Sequence, residues 1–144
     1  MNLLKEPLTD KGFVNNLIPQ KYPFVMVDKL LYFSENKVVS GFSISKDNIF
    51  SFQSLFTASG LIENMAQTVA LFTGYQYFLK NEEAPTGYIG AIKKVEIIEF
   101  PKTGDELVTT VNILHEIMGV TLVNSQVACN GKIIATSEMK TVLA

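Results

Sequence analysis

Arginine is absent from this 144-residue chain, in which all twelve basic residues are lysine. Without a guanidinium there is no planar fork for bidentate capture of a phosphate or carboxylate, and only point-charge contacts remain. Cysteine occurs once, as Cys129, so no disulfide can close within the chain and a reducing compartment is the expected setting. Histidine also occurs once, as His115. One imidazole and one thiol cannot assemble a zinc set, so no metal is expected. There is no G-x-G-x-x-G, no Walker A sequence and no nucleophile elbow, and no cofactor is expected either. No stretch approaches the roughly 20 apolar residues needed to cross a bilayer. The opening residues, MNLLKEPLTDKG, hold no long apolar core. A cytoplasmic protein with no membrane contact is expected.

Fourteen acidic residues against twelve basic ones leave a net charge of −2, and the isoelectric point near 5.4 provides no electrostatic footprint for nucleic acid. What the chain has in quantity is apolar surface: 47% of its residues are hydrophobic and the mean hydropathy is +0.22. The length fits one domain with a sizeable core. An apolar fraction this high predicts that part of the surface is covered by a ligand or a partner, most economically a second copy in a homo-oligomer.

The organising stretch is Phe56 to Lys80, the longest helix-compatible run. Ile62, Met65, Ala66, Val69, Phe72 and Thr73 recur at spacings of three and four, which predicts one buried face. Glu63, Asn64, Gln67 and Thr68 are expected on the opposite, wet arc, with Gly60, Ala70 and Gly74 near Glu63 at its edge. Ser59 or Thr57 is expected to cap the start, and Asn81 with Pro85 to close the end.

Ahead of this helix, a short helix or irregular lead-in is expected around Asp10 to Asn16. Pro19 and Pro23 then break regular structure, and Phe24 to Phe33 reads as a strand, followed by a turn and a second strand over Val38 to Ser45. Lys46 to Leu55 reads as a loop whose Phe50 and Phe52 anchor it over something apolar. After the helix come a loop over Asn81 to Gly87 and a strand over Tyr88 to Phe100, in which Gly90 marks a close approach of backbone or ligand. Three further strands are expected at Glu106 to Ile117, Val120 to Cys129 and Lys132 to Val142. Asn130-Gly131 between the last two is a hairpin signal, because a type I′ turn needs positive φ at both central positions. Two strands, one long helix and four strands joined by tight turns suit an α+β fold with an antiparallel sheet curled round the helix. Its far face and edges would be left for a partner.

These residues together resemble the hotdog-fold 3-hydroxyacyl-acyl carrier protein dehydratases of fatty-acid synthesis. Leu17 to Asp28 is similar to the family's LPHRYPFLLVD, matching at Pro19, Tyr22, Pro23, Phe24, Val27 and Asp28. Leu61 to Gln67, LIENMAQ, is similar to LILEAMAQ. Gly90 to Leu107 is similar to AGIDEARFKRPVVPGDQL, with Ile92 and Gly104 in register. The resemblance implies an acyl chain on phosphopantetheine, carried by acyl carrier protein or coenzyme A, entering a tunnel beside the helix at a dimer interface. It implies loss of water from a 3-hydroxyacyl thioester, which needs one group to take the α-proton and another to assist the departing hydroxyl. Backbone N–H groups at a helix N-terminus suit the thioester oxygen. In the family a histidine and an acidic residue divide the proton transfers, and Glu63 matches the acidic position. Gln67, one turn on, is placed to orient it. Tyr22, Phe24, Gly90 and Ile92 fall at positions implied to meet substrate.

The chain departs from that pattern where the family's GHFP-type histidine segment precedes the helix: Asn48 to Gly60, NIFSFQSLFTASG, contains no histidine, and the loop is shorter. Gln20 replaces the histidine of LPHRYP. The helix with Gly74 to Gln76, and the PTGYIGAIKKVEI run, look like the second dehydratase-like subunit encoded with aryl-polyene pathways, which is thought to act with a regular dehydratase partner. Three outcomes stay open: an active dehydratase, a non-catalytic acyl-binding subunit that pairs with a histidine-bearing dehydratase, and a thioesterase of the same fold in which Glu63 activates water. On position alone Glu63 is an ordinary surface glutamate, and only the motif around it points inward. His115, at a strand end, reads as a surface or interface residue. Cys129 reads as a small buried apolar residue. Tyr22 and Tyr88 could donate protons to a thioester, yet such tyrosines more often pack. Lys21, Lys93, Lys94 and Lys102 are candidates to meet an acidic carrier, although scattered lysines usually only solubilise.

Overall fold

A computed structural model describes residues 1–144. A short helix, α1 (Lys11–Asn16), is started by Asp10, whose Oδ1 accepts the Phe13 N–H at 3.1 Å. Strands β1 (Lys29–Phe33) and β2 (Lys37–Ser43) follow, then two two-residue strands, β3 (Ser51–Phe52) and β4 (Leu55–Phe56), and the long helix α2 (Ala58–Leu79). Four long strands complete the chain: β5 (Gly87–Ile97), β6 (Glu106–Ile117), β7 (Val120–Cys129) and β8 (Lys132–Leu143).

The six longer strands form one antiparallel sheet in the order β1-β2-β6-β7-β8-β5. The α2 helix lies across its inner face, with Leu61, Met65, Leu71 and Phe72 packed in one core with Val111, Val123, Val127 and Met139. This is the α+β arrangement of a helix wrapped by a curved sheet. The tight connections arise where the backbone can turn left-handed: Met118-Gly119 at φ 51° and 79°, and Asn130-Gly131 at 53° and 76°. At its C-terminus α2 stops through Asn81 at φ 58°. There Asn81 and Glu82 donate to the Phe78 and Tyr77 carbonyls, satisfying oxygens the helix itself leaves free. No helix is long and apolar enough to cross a membrane.

Several expected boundaries move. Only Lys29–Phe33 of the Phe24 to Phe33 run pairs as a strand, because the backbone of residues 24–26 is held by side chains of α2 instead of a ladder. The Lys46 to Leu55 loop contains the small β3–β4 hairpin; Phe50 packs on the core, but Phe52 is 68% exposed and anchors nothing. β5 ends at Ile97, short of Phe100, and its ladder with β8 is irregular at Ile89/Ala91 and Lys93/Glu96. Gly90 lies in the first irregularity, where a Cβ would come within 3.0 Å of Val142 Cγ2. Thr57 is the N-cap of α2, yet its hydroxyl donates to the Phe50 carbonyl at 2.6 Å and leaves the helix N–H groups alone.

The largest correction concerns α2. Asn64, Gln67 and Thr68, expected on the wet arc, are each 0% exposed. The buried face is centred near Leu61, Asn64, Met65 and Thr68, about a quarter turn from the expected stripe at about 100° per residue. Ile62, Ala66 and Thr73, expected in the core, are only part-buried.

The two edges of the sheet differ. β1 is covered by the N-terminal segment: Leu3 donates to the Phe33 carbonyl, and Leu8 and Leu30 exchange backbone hydrogen bonds. β5 has no partner on its outer side and exposes Tyr88, Ile89, Ile92 and Val95. At the start of β1, Lys29 Nζ bonds Asp28 at 2.9 Å and Glu106 at 2.8 Å. Burial opposes its charge, but the hydrogen bonds and charges of Glu106 and Asp28 outweigh burial and raise the lysine above its ordinary value.

Candidate functional site

The segment Leu17 to Asp28 runs back along α2 and is stitched to it by amides. Asn64 Nδ2 donates to the Met26 carbonyl at 2.8 Å, and its Oδ1 accepts the Thr109 hydroxyl at 2.6 Å. Gln67 Oε1 accepts the Met26 N–H at 2.6 Å, while Nε2 donates both to the Phe24 carbonyl at 2.8 Å and to Glu63 Oε2 at 2.9 Å. These partners fix the Gln67 amide in one sense. Flipped, it would set two donors face to face and push its oxygen against a carbonyl and a carboxylate. Thr68 completes the row, its hydroxyl bonded to the Asn64 carbonyl and to Ser40 Oγ, each at 2.7 Å. Every polar group on this flank thus has a partner, which is what burial demands.

Glu63 stands at the border of that network and an open space. It is half-buried, and the one hydrogen bond to its carboxylate comes from Gln67. In front of it lies a cleft of about 490 Å³, within the size range of small-molecule sites. One wall is α2, through Glu63, Ala66, Ala70 and Thr73; the second is the segment from Asn16 to Gln20; the third is the Glu83 to Ile89 stretch with Leu143. Gln20, which stands where the dehydratase motif has histidine, lines the second wall, and its Oε1 is buried without a hydrogen-bond partner. A donor on a bound molecule would satisfy it.

The other expected site residues lie elsewhere. Gln67 sits behind Glu63, not in the cleft, and acts on it through the hydrogen bond. Tyr22 is 87% and Phe24 53% exposed, and neither lines the cleft; Phe24 contributes only its carbonyl, to Gln67. Gly90 and Ile92 are on the open β5 edge, likewise outside the cleft. Tyr88 lines the third wall while remaining largely exposed. His115 is exposed on β6, away from the cleft. Cys129 is buried, and burial, with the charge and hydrogen bond of Asp105, raises its thiol. Glu83 is a cleft-wall residue that sequence reasoning missed, because nothing in the Asn81 to Gly87 loop signals that it folds back over α2. Nowhere do three or more His, Cys, Asp or Glu side chains gather in a metal-binding group.

The chain is similar to several known proteins. The model of the ApeP-like family, described as ApeP dehydratase, matches residues 13–144. A 3-hydroxyacyl-[acyl-carrier-protein] dehydratase FabZ of Clostridium botulinum is 30% identical over 138 residues, covering 93% of this chain and 95% of that protein. The FabZ of Aliivibrio fischeri is 26% identical over 133 residues, covering 88% of each. Among solved structures, the dehydratase heterocomplex ApeI:P from Xenorhabdus doucetiae superimposes with a TM-score of 0.84 at 20% identity, covering 91% of this chain and 90% of that one. That likeness shows the shared hotdog fold. By the match of its family model over nearly the whole sequence, the chain belongs to the ApeP-like dehydratases, within the hotdog-fold 3-hydroxyacyl thioester dehydratase family.

Proposed function

We propose that this single-domain protein binds a 3-hydroxyacyl chain carried on phosphopantetheine and provides the carboxylate half of a dehydratase site, the other half coming from a histidine-bearing partner subunit. In the reaction the C2–H bond breaks, its electron pair forms the C2=C3 bond of the trans-2-enoyl product, and the C3–O bond breaks. The departing hydroxyl takes a proton and leaves as water. Two groups must move protons, and Glu63 is assigned one transfer.

The observation that carries this reading is the pairing of Glu63 with Gln67 at an open cleft, while the only imidazole of the chain is exposed on β6, away from the cleft. A carboxylate oriented in this way is equipped for general acid or base work but lacks a second proton carrier of near-neutral affinity. The unpaired β5 edge with its apolar residues supports association with another hotdog subunit through added strand pairing. That the chain superimposes on a dehydratase heterocomplex, ApeI:P, supports a two-subunit assembly. Without the partner, the same edge would pair two copies of this chain. Exposed Lys93 and Lys94 on β5 suit an acidic carrier protein.

The test supplies a 3-hydroxyacyl thioester to the protein alone, to a histidine-bearing dehydratase alone and to the two mixed, and follows enoyl formation. The reading expects the mixture to exceed the sum of its parts. Turnover by the isolated protein equal to that of the mixture would overturn the division of labour, and release of free acid would assign a thioesterase instead.

A further inference from the structure

Of the two edges of the sheet, one is closed by the chain itself. Between Leu30 and Phe33 the outward backbone of β1 is taken by the segment of residues 2–8. Leu8 N–H donates to the Leu30 carbonyl at 2.8 Å, and Leu30 N–H returns a bond to the Leu8 carbonyl at 2.9 Å. Leu3 N–H donates to the Phe33 carbonyl at 2.7 Å, and Asn2 Oδ1 accepts the Phe33 N–H at 3.1 Å. Between these points Leu4 is buried in the core and anchors the segment. Lys5, Glu6 and Pro7 are exposed and lie outside any strand. Charge, proline and irregular backbone are the features that keep an edge from templating further strands.

Resting on the association through β5 inferred above, we propose that residues 2–8 are an edge guard. They occupy a second docking edge, β1, which without them takes the β5 edge of another copy of this chain. β5 is suited to that role because its outer side is unpaired and Ile89, Ile92 and Val95 are exposed on it. Subunits joined β1 to β5 make heterologous contacts, which run on into open arrays unless the rotation closes a ring. With β1 covered, pairing through β5 stops at two subunits. The guard thus reserves association for the edge that a partner subunit would use.

The experiment follows mass by light scattering as concentration rises, for the full chain and for a shortened chain lacking residues 2–8. The full chain is expected to level off, whereas the shortened chain, folded by circular dichroism, is expected to keep growing. Excess synthetic peptide of residues 1–10 is expected to return it to the full chain's mass. The same peptide N-methylated at Leu3 and Leu8 keeps its side chains, lacks the two donating N–H groups and is expected to fail. Ile92→Lys in the shortened chain puts a charge on β5 and is expected to stop growth. Should the shortened chain not fold, Asn2→Ala with Leu3→Pro in the full chain frees the Phe33 end of β1 while Leu4 stays, and growth is expected at higher concentration. Equal masses for the full chain and these folded variants overturn the guard, as does a full chain that grows without limit. So does a plain peptide that reverses nothing or a methylated one that works as well. Growth that persists with Ile92→Lys leaves the guard standing and overturns the association through β5.

Discussion

On one flank of α2, Asn64, Gln67 and Thr68 are polar and yet fully buried, each tied to the Phe24–Met26 backbone or to hydroxyls of the sheet. On the other, Ala66, Ala70 and Thr73 are small, part-exposed and in contact with open space. Side-chain polarity alone would assign these flanks the other way round. What separates them is partnership: the polar flank is inside because it is the stitching for a segment that must lie against the helix, and the small flank is open because nothing of the chain fills it. Glu63 sits on the seam, oriented from the closed side and facing the open one.

The comparison breaks most visibly at Asn64. Asn64→Leu leaves the Met26 carbonyl and the Thr109 hydroxyl without their partner. Each such buried group costs about 1–3 kcal/mol, so chemical unfolding is expected to show a loss of about 3–5 kcal/mol. Gly74→Ala comes next. The added methyl meets the Leu17 carbonyl, and the segment from Asn16 to Gln20 must move away at a cost of about 2–3 kcal/mol. Ligand affinity is expected to change with it, since that segment is a wall of the cleft.

A matched pair sharpens the contrast at lower cost. Thr68→Val and Thr73→Val make the same chemical change on the two flanks. The first removes the hydroxyl shared with Ser40 and Asn64 and is expected to cost about 1–2 kcal/mol. The second alters a part-exposed residue of the cleft wall and is expected to stay within about 0.5 kcal/mol. Equal losses in thermal unfolding would contradict the assignment of the flanks.

Much of the fold is legible from local signals. The turns at Met118-Gly119 and Asn130-Gly131 punctuate β6, β7 and β8, and the expected boundaries of those strands lie within a residue of the observed ones. α2 is legible as a helix, but its orientation is not. Periodicity ranks Asn64 and Thr68 as wet because their partners, Met26, Thr109 and Ser40, are 28 or more residues away. The same distance hides the start of β1: residues 24–26 look like strand until α2 claims their backbone groups. At the site, Glu63 and its link to Gln67 could be anticipated from the LIENMAQ motif and the i,i+4 spacing. The walls could not, since residues 16–20, 83–89 and 143 meet α2 only through the tertiary fold.

The most direct measurement is the rate of enoyl formation from a 3-hydroxyacyl thioester by this protein mixed with a histidine-bearing dehydratase, comparing wild type with Glu63→Gln. The substitution keeps the shape and a hydrogen bond to Gln67 but cannot carry the proton. A fall of about 100-fold or more, with the unfolding midpoint unchanged, is the predicted result. A rate equal to wild type would contradict the placing of Glu63 at the chemistry.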